Sequence, residues 1–322
     1  MVLVTGGTGF LGSSLISYLI NDGVAVLATK RSQSTIPESL RSSSLIQWVD
    51  ADITDYFALA DLFSGISKVY HCAAMISYQK EDWSNMLHTN IEGTRHIVNL
   101  CLEHQVRLVH VSSIAALGVS KSGEPITENS KWDDGEEHSK YALSKHESEM
   151  EVWRGIVEGL DAVIVNPSVI MGNGVGNKGS GVIFSLVQKG LKIYPPGSVG
   201  IVDVADVAKI MIQLMETPSI SGERFILNSE NLTNKSLLER ISILLDKPAP
   251  TIEAKPFMLS IAWRIAKAAA WFKSKRPALT RESAKASASN WTYSNQKLID
   301  RTGYLFKPID DTLKEMSKAF KD

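Results

Sequence analysis

A tyrosine and a lysine four residues apart, Tyr141 and Lys145, have the side chains best suited to proton transfer in this sequence. Residues with this spacing lie on one face of a helix. A free tyrosine has a pKa of about 10 and is a poor acid–base group at neutral pH. A nearby ammonium group favours the phenolate and lowers that pKa. The pair therefore predicts a tyrosine whose proton transfer is tuned by Lys145, although such pairs also occur by chance on many helices.

Ser113 is a third candidate, because it follows the segment Arg107–Val111, whose composition predicts a strand. A hydroxyl at the end of a strand can hydrogen-bond a substrate oxygen and stabilise the charge that develops there. Ser113, Tyr141 and Lys145 are therefore the predicted catalytic residues.

The start of the chain predicts the element that positions a ligand beside them. Glycines at 6, 9 and 12 stand between the short apolar segment Val2–Val4 and a helix-spaced apolar run. The first allows a tight turn, the second a close approach of a pyrophosphate, and the third close helix packing, while the helix N-terminus attracts the phosphates. A glycine-rich turn without a ligand is the alternative. The predicted cofactor contacts here are Gly6, Gly9, Phe10, Leu11 and Gly12.

The residues after the second predicted strand, Val24–Thr29, indicate which dinucleotide binds. An acidic residue at this point would bind the ribose 2′-hydroxyl of NAD. This chain has Lys30 and Arg31 instead, and the guanidinium fork of an arginine suits a phosphate or stacks on adenine. The pattern predicts NADP(H) in preference to NAD(H), with a solvated loop as the alternative for Lys30.

Strands and helical stretches alternate along the first half of the chain. Such alternation is typical of right-handed βαβ units and a parallel sheet, so the predicted fold class is α/β, a Rossmann-type doubly wound sheet. The predicted strands are 2–4, 24–29, 45–49, 68–74, 107–111 and 161–165, with a long helix over 83–103 and another from about Ser139.

The overall composition argues against several other classes of protein. The formal net charge is −1, so no basic field would attract nucleic acid. The two cysteines, Cys72 and Cys101, lie in apolar surroundings, which is typical of buried thiols in a reducing compartment. We find no zinc-ligand spacing, no signal peptide before the first strand and no long uncharged apolar run. We expect a cytoplasmic protein without a bound metal.

Motifs along the first two-thirds of the chain make it resemble the extended short-chain dehydrogenases/reductases, often called the NAD-dependent epimerase/dehydratase family. The motifs occur in the order that the family shows. They are TGGTGFLG at 5–12, Asp52-Ile53, His71-Cys72-Ala73-Ala74, Asn90 with Gly93-Thr94, Val111-Ser112-Ser113 with Gly118, YALSK at 141–145 and VDVADVA at 202–208.

This resemblance implies roles for individual residues. Ser113, Tyr141 and Lys145 would form the catalytic triad. Asp52 and Ile53 would flank the adenine of the cofactor. The remaining predicted cofactor contacts are Ala73, Ala74, Asn90, Pro167, Ser168 and Val169, the last three holding the nicotinamide amide.

Two departures within the family concern the substrate. Ser113-Ile114-Ala115 stands where sugar-nucleotide dehydratases carry Thr-Asp-Glu. The segment Asn166-Pro167-Ser168, together with Lys30-Arg31, resembles the branch of dihydroflavonol 4-reductases and 3β-hydroxysteroid-dehydrogenase-like enzymes. That branch acts on apolar ketones and secondary alcohols, so the resemblance implies an NADP(H)-dependent oxidoreductase for a fairly apolar small molecule.

Two other functions stay open. One is a nucleotide-sugar epimerase, which must hold a nucleotide diphosphate with cations. No arginine occurs between Arg154 and Arg224, which argues against such a substrate, although Arg264, Arg276 or Arg281 could fold back over the site. The other is an NADP-binding regulator that has lost catalysis, and the intact Ser–Tyr–Lys set argues against that reading.

The chain is expected to form two domains. Residues 1–165 and 201–230 would form the NADP-binding Rossmann domain, and 166–200 with 231–322 a smaller, mainly helical substrate-binding domain. The apolar, basic segment 257–276 predicts a helix that covers a lipophilic pocket or is buried in a homodimer; contact with an anionic membrane is the alternative.

Overall fold

A computed structural model of the protein describes residues 1–119, 123–255 and 280–321, together with 257, 258, 260, 261, 263–265 and 276. Seven parallel strands form its main sheet in the order β10-β6-β5-β4-β1-β2-β3. This is the strand order of a doubly wound dinucleotide-binding sheet, extended by one strand. The strands are β1 Val2–Thr5, β2 Val26–Lys30, β3 Ile46–Asp50, β4 Lys68–His71, β5 Arg107–Val111, β6 Ala162–Pro167, β7 Val169–Met171, β8 Ile193–Tyr194, β9 Ser198–Asp203, β10 Glu223–Leu227, β11 Glu230–Thr233 and β12 Ile252–Glu253.

Helices cover both faces of the sheet, which explains why its central strands carry buried apolar residues on both faces. In β1, Val2 and Val4 belong to the core shared with the first and sixth helices, whereas Leu3 belongs to the core on the opposite face. The helices are α1 Phe10–Asn21, α2 Tyr56–Ala60, α3 Trp83–Glu103, α4 Lys140–Val157, α5 Val182–Gln188, α6 Val204–Met215 and α7 Asn234–Leu244, followed by Arg281–Ser287, Gln296–Thr302 and Ile309–Ser317.

The carboxyl ends of the parallel strands all lie at one edge of the sheet. The turn at Gly6 follows β1, Ala73 follows β4, Ser113 follows β5, and β6 ends at Pro167. Ligands of open α/β sheets bind outside this edge. The fold therefore brings together segments that are far apart in the sequence.

The second half of the chain contains short strands that the sequence pattern does not predict. Strands β11, β9 and β7 form a three-stranded sheet, and β12 pairs with β8. They surround a third apolar core that includes Phe184, Leu237 and Leu313. Strands of two to six residues that contain Gly200, Asn231 or Glu253 have weak intrinsic β-propensity, so tertiary pairing determines them. The division into two domains stays a prediction.

The predicted helix over 257–276 lies largely outside the described residues. In the part of the chain that is described, no helix is long and apolar enough to cross a membrane.

Candidate functional site

The glycine loop forms a tight cradle between β1 and α1. Gly6 has a φ of +69°, and a Cβ there would lie 2.8 Å from the backbone N and Cα of Ala73. Gly12 is equally constrained, because a Cβ on it would lie 2.3 Å from the Gly6 carbonyl oxygen. The N-cap of α1 is Gly9, which has no side chain to accept a hydrogen bond from the first amides of the helix. Because the first amides of a helix have no intrahelical acceptor, the cradle fits the pyrophosphate of a dinucleotide, with the amides of Phe10 and Leu11 at its base.

The two basic residues after β2 differ in their surroundings. The Lys30 ammonium forms an ion pair with the Asp50 carboxylate, which lies opposite it in the β2–β3 register. Arg31 is exposed beyond the sheet edge. Because Asp50 already neutralises Lys30, Arg31 is the better placed of the two to meet an added phosphate.

Asp52 and Ile53, which are expected to flank the adenine, already make contacts within the protein. The exposed Asp52 accepts hydrogen bonds at one carboxylate oxygen from the Thr54 amide, at 2.9 Å, and the Thr54 hydroxyl, at 2.8 Å. Ile53 is buried, and a Cβ on Gly93 of α3 would lie 2.4 Å from its Cδ1. Ala74 is exposed at the sheet edge, so it has room for a ligand beside it.

Asn90 is buried and joins three elements. Its side-chain oxygen accepts from the Met75 amide at 2.7 Å, and its Nδ2 donates to the Met75 carbonyl at 2.9 Å and to the Ser144 hydroxyl at 3.0 Å. These contacts tie the loop after β4 to α3 and α4. In the structure its side chain is therefore engaged within the protein, and a contact of Asn90 with the cofactor stays a prediction.

Pro167, Ser168 and Val169 lie together after β6, at the same sheet edge as Ser113. Pro167 and Ser168 are buried, and both the amide and the hydroxyl of Ser168 donate to the Leu227 carbonyl, at 2.9 and 3.2 Å. Val169 is partly buried and begins β7. The segment is thus held rigidly against β10.

The three predicted catalytic residues meet at the ends of β5 and α4. Ser139 caps α4 by accepting from the Ala142 amide at 3.0 Å, which fixes Tyr141 and Lys145 in the first two turns. The Tyr141 side chain is hydrogen-bonded to Ser113. Lys145 is 3 % exposed, and its ammonium donates to the Val111 carbonyl at 2.8 Å. The hydroxyls of Ser113 and Tyr141 therefore form a pair that can bind one substrate oxygen.

Burial has the largest effect on the pKa values of both Lys145 and Tyr141. It lowers the pKa of Lys145 to about 8, against the attraction of Glu149 and Cys72. It also raises the pKa of Tyr141, while the hydrogen bond with Ser113 acts in the opposite direction. The sequence argument assigned a lowering effect to the Lys145 ammonium; in the structure, the hydrogen bond with Ser113 acts in the same direction.

Two residues near Tyr141 are not found by sequence reasoning. The ring of Tyr78 lies 5.8 Å from that of Tyr141, centroid to centroid, at 59°, and burial raises its pKa to about 12. Glu282 accepts from the Lys140 amide at 3.3 Å, its other oxygen is buried without a partner in the described part of the chain, and burial raises its pKa. Both residues reach the site by tertiary packing, and the local sequence carries no signal for either.

Among the residues that the structure describes, no group of three or more His, Cys, Asp or Glu side chains is arranged to hold a metal ion.

A sequence model of the NAD dependent epimerase/dehydratase family matches residues 2–228, which include the glycine cradle and the Ser113–Tyr141–Lys145 set. This chain belongs to that family. Family members are oxidoreductases and epimerases that act on alcohol and carbonyl groups with a nicotinamide cofactor.

Two curated relatives within this family are similar over most of their length. A putative dihydroflavonol 4-reductase from Synechocystis sp. is 29% identical over 326 residues, which cover 99% of this chain and 94% of the relative. Sterol demethylase protein B from Methylococcus capsulatus is 29% identical over 266 residues, covering 80% of this chain and 78% of that protein.

Solved structures show the same family fold. The crystal structure of gox2253 is 28% identical, with a TM-score of 0.85 over 100% of this chain and 98% of that chain. The Bordetella bronchiseptica enzyme WbmG, solved in complex with NAD and UDP, is 18% identical, with a TM-score of 0.78 over 99% of this chain and 94% of that chain.

Proposed function

We propose that this chain is an NADP(H)-dependent oxidoreductase that interconverts a ketone or aldehyde and an alcohol on a fairly apolar small molecule. It would act as a dihydroflavonol-reductase-like or hydroxysteroid-dehydrogenase-like enzyme. The observation that carries the proposal is the Ser113–Tyr141 hydrogen bond beside the buried Lys145 ammonium, at the sheet edge where the glycine cradle lies.

The roles of the three side chains follow from their positions. Ser113 and Tyr141 bind the carbonyl oxygen, and Tyr141 gives its proton to that oxygen as charge develops on it. Lys145, held by the Val111 carbonyl, keeps a positive charge next to the tyrosine. A bound nicotinamide supplies the hydride for reduction, or accepts it for oxidation. In the oxidation direction Tyr141 takes the proton of the alcohol.

The proposed contacts to the cofactor use the cradle and the β2 end. The amides of the first turn of α1 hold the pyrophosphate, and Arg31 binds the 2′-phosphate that distinguishes NADP(H) from NAD(H). Lys30 contributes less, because the Asp50 carboxylate is its partner.

The surroundings of the substrate side support an apolar substrate. Val169 and Ile170 are only partly buried and belong to the segment that follows β6. Arg224, the first arginine after Arg154 in the sequence, is paired with the buried Glu149 carboxylate, and its guanidinium is therefore engaged away from a ligand. The dihydroflavonol-reductase and sterol-demethylase names of the two curated relatives agree with this class of substrate.

The same proposal includes the assignment of chain segments to domains. Residues 1–165 and 201–230 bind the cofactor, and 166–200 with 231–322 bind the substrate. We place the enzyme in the cytoplasm, with homodimer formation open to a sedimentation measurement.

The test is turnover of a panel of apolar ketones and aldehydes, followed by loss of NADPH absorbance. Tyr141→Phe should abolish turnover and leave cofactor binding intact, because only the proton-donating hydroxyl is removed. A dinucleotide-binding regulator would bind NADPH tightly while every compound stays unconverted.

A nucleotide-sugar epimerase is the second candidate, since the fold neighbour WbmG was solved with NAD and UDP. The stoichiometry separates the two functions. A reductase consumes one NADPH for each substrate, whereas an epimerase interconverts UDP-sugars with no net loss of NADPH. The second outcome would refute the reductase assignment.

A further inference from the structure

A buried carboxylate lies one helical turn beyond Lys145, on the face of α4 that also carries Tyr141. Glu149 is 1 % exposed. One of its oxygens accepts from the Arg224 guanidinium at 2.9 Å and from the Trp153 indole at 3.2 Å, and the other accepts from the Asn166 amide at 2.7 Å. A buried charge is tolerated only when it is paired and hydrogen-bonded in this way, so these four residues form one connected polar cluster, in which the Oδ1 of Asn166 alone is buried without a partner among the described residues.

The Glu149 cluster reaches the catalytic serine through Asn166. The Nδ2 of Asn166 that donates to Glu149 also donates to the Ser113 carbonyl at 3.0 Å. Arg224 in turn donates to the Glu128 carbonyl at 2.9 Å, in the loop that leads to α4. Glu149 therefore connects the backbone at Ser113 to the helix that carries Tyr141 and Lys145.

We propose that Glu149 is a positioning residue for the reaction proposed above, holding the Lys145 ammonium by its charge and Ser113 through Asn166. The inference rests on that proposed function for its role in catalysis. Within the described residues, the polar partners of Glu149 are Arg224, Trp153 and Asn166, so we assign it no direct contact with substrate or cofactor.

The charges that face Lys145 single out Glu149. The groups from the neighbouring strands are His71 and Cys72 at the end of β4 and His110 of β5. Burial lowers the pKa of His71 to about 3 and that of His110 well below its usual value, and it raises the pKa of the Cys72 thiol to about 12. All three are therefore neutral near pH 7. Within the described residues, Glu149 is the charged group that supports the protonated form of Lys145.

The consequence for Lys145 has a definite sign. Glu149 raises the pKa of Lys145 against the effect of burial. Removal of its charge should therefore lower that pKa further, by roughly one pH unit for a carboxylate one turn away. A residue that only packs the helix would leave the pKa of Lys145 unchanged.

The experiment compares three variants with the unaltered chain, without cofactor. In protein labelled with ¹³C and ¹⁵N at lysine, the pH titration of the Lys145 side chain is followed by NMR. Glu149→Gln removes the charge and should lower the pKa by roughly one unit. Glu149→Asp keeps the charge but draws it back by one methylene, so it should lower the pKa by less than Glu149→Gln does. Trp153→Phe removes only the indole donor to Glu149 and should leave the pKa close to that of the unaltered chain.

Turnover gives the second measurement. At a pH near the Lys145 pKa of about 8, kcat of Glu149→Gln should fall by roughly fivefold, with little change in KM, because the deprotonated fraction rises. The decline of kcat at high pH should occur at lower pH in Glu149→Gln, by the same number of pH units as the Lys145 pKa falls in the NMR titration.

The outcomes distinguish the two proposals. An unchanged Lys145 pKa in folded Glu149→Gln would overturn the role of Glu149. If Glu149→Gln does not fold, the comparison is made between Glu149→Asp and Trp153→Phe. A lower Lys145 pKa in Glu149→Asp, whose shorter side chain withdraws the carboxylate, supports the electrostatic role of Glu149. Equal Lys145 pKa values in the two variants overturn it. The predicted NMR shift without turnover of any carbonyl compound would refute the oxidoreductase function and leave the electrostatic link intact.

Discussion

Substitution of Gly6 by alanine tests the glycine cradle, and Gly23 provides a matched control. Both residues have a positive φ, +69° and +77°. An alanine in this conformation costs about 1–2 kcal/mol. At Gly23 nothing lies within 4 Å of the added Cβ, whereas at Gly6 the Cβ would lie 2.8 Å from the backbone of Ala73. Backbone atoms cannot move aside as a flexible side chain can, so the cradle must shift, at a further cost of about 1–3 kcal/mol.

The expected free energies of unfolding follow from this difference. Gly23→Ala should lose about 1–2 kcal/mol, and Gly6→Ala about 2–5 kcal/mol, the sum of strain and overpacking. Urea denaturation of both variants measures these values. Fluorescence titration with NADPH should show weaker binding for Gly6→Ala alone, since only its loop moves away from the pyrophosphate. Equal losses of stability and equal affinities in the two variants would refute the close approach of Gly6 to Ala73.

Two further predictions concern cofactor choice and pH. We expect the unaltered chain to prefer NADPH over NADH by more than tenfold, about 1.4 kcal/mol, and Arg31→Ala should remove most of that preference. Lys30→Ala should change it less, because Asp50 pairs with Lys30. Titrations with both cofactors check this, and equal affinity of the unaltered chain for the two would contradict it. Ketone reduction should decline as the pH rises through about 8, the pKa to which burial lowers Lys145, because the neutral amine no longer favours the phenolate of Tyr141. A kcat profile flat to well above that pH would show that the charge of Lys145 is not required.

The order in which segments meet at the site could be predicted because parallel sheets impose it. The sequence pattern predicted α3 at Trp83–Glu103 and β5 at Arg107–Val111 with the bounds that the structure shows. Local apolar periodicity is sufficient for such elements. The βαβ rule then places every strand end at one edge, which brings the glycine cradle, Ser113 and the Tyr141 helix together.

Side-chain partners across the sheet were not predictable in the same way. The β2–β3 register sets Lys30 opposite Asp50, and this pairing leaves Arg31 as the exposed cation. The spacing of Tyr141, Lys145 and Glu149 along α4 is a signal present in the sequence. The role of Glu149 nevertheless depends on Asn166 and on Arg224, which lies 75 residues beyond Glu149 in the chain.

The sequence alone determined the fold class and the positions of the motifs, because strand and helix patterns are local and their alternation is typical of right-handed βαβ units in a parallel sheet. Tertiary structure alone decided which polar groups are buried together. Burial lowers the pKa of Lys145 and leaves one oxygen of Glu282 without a partner in the described chain. Desolvation depends on every element packed around a group, and no segment of the sequence contains that information by itself.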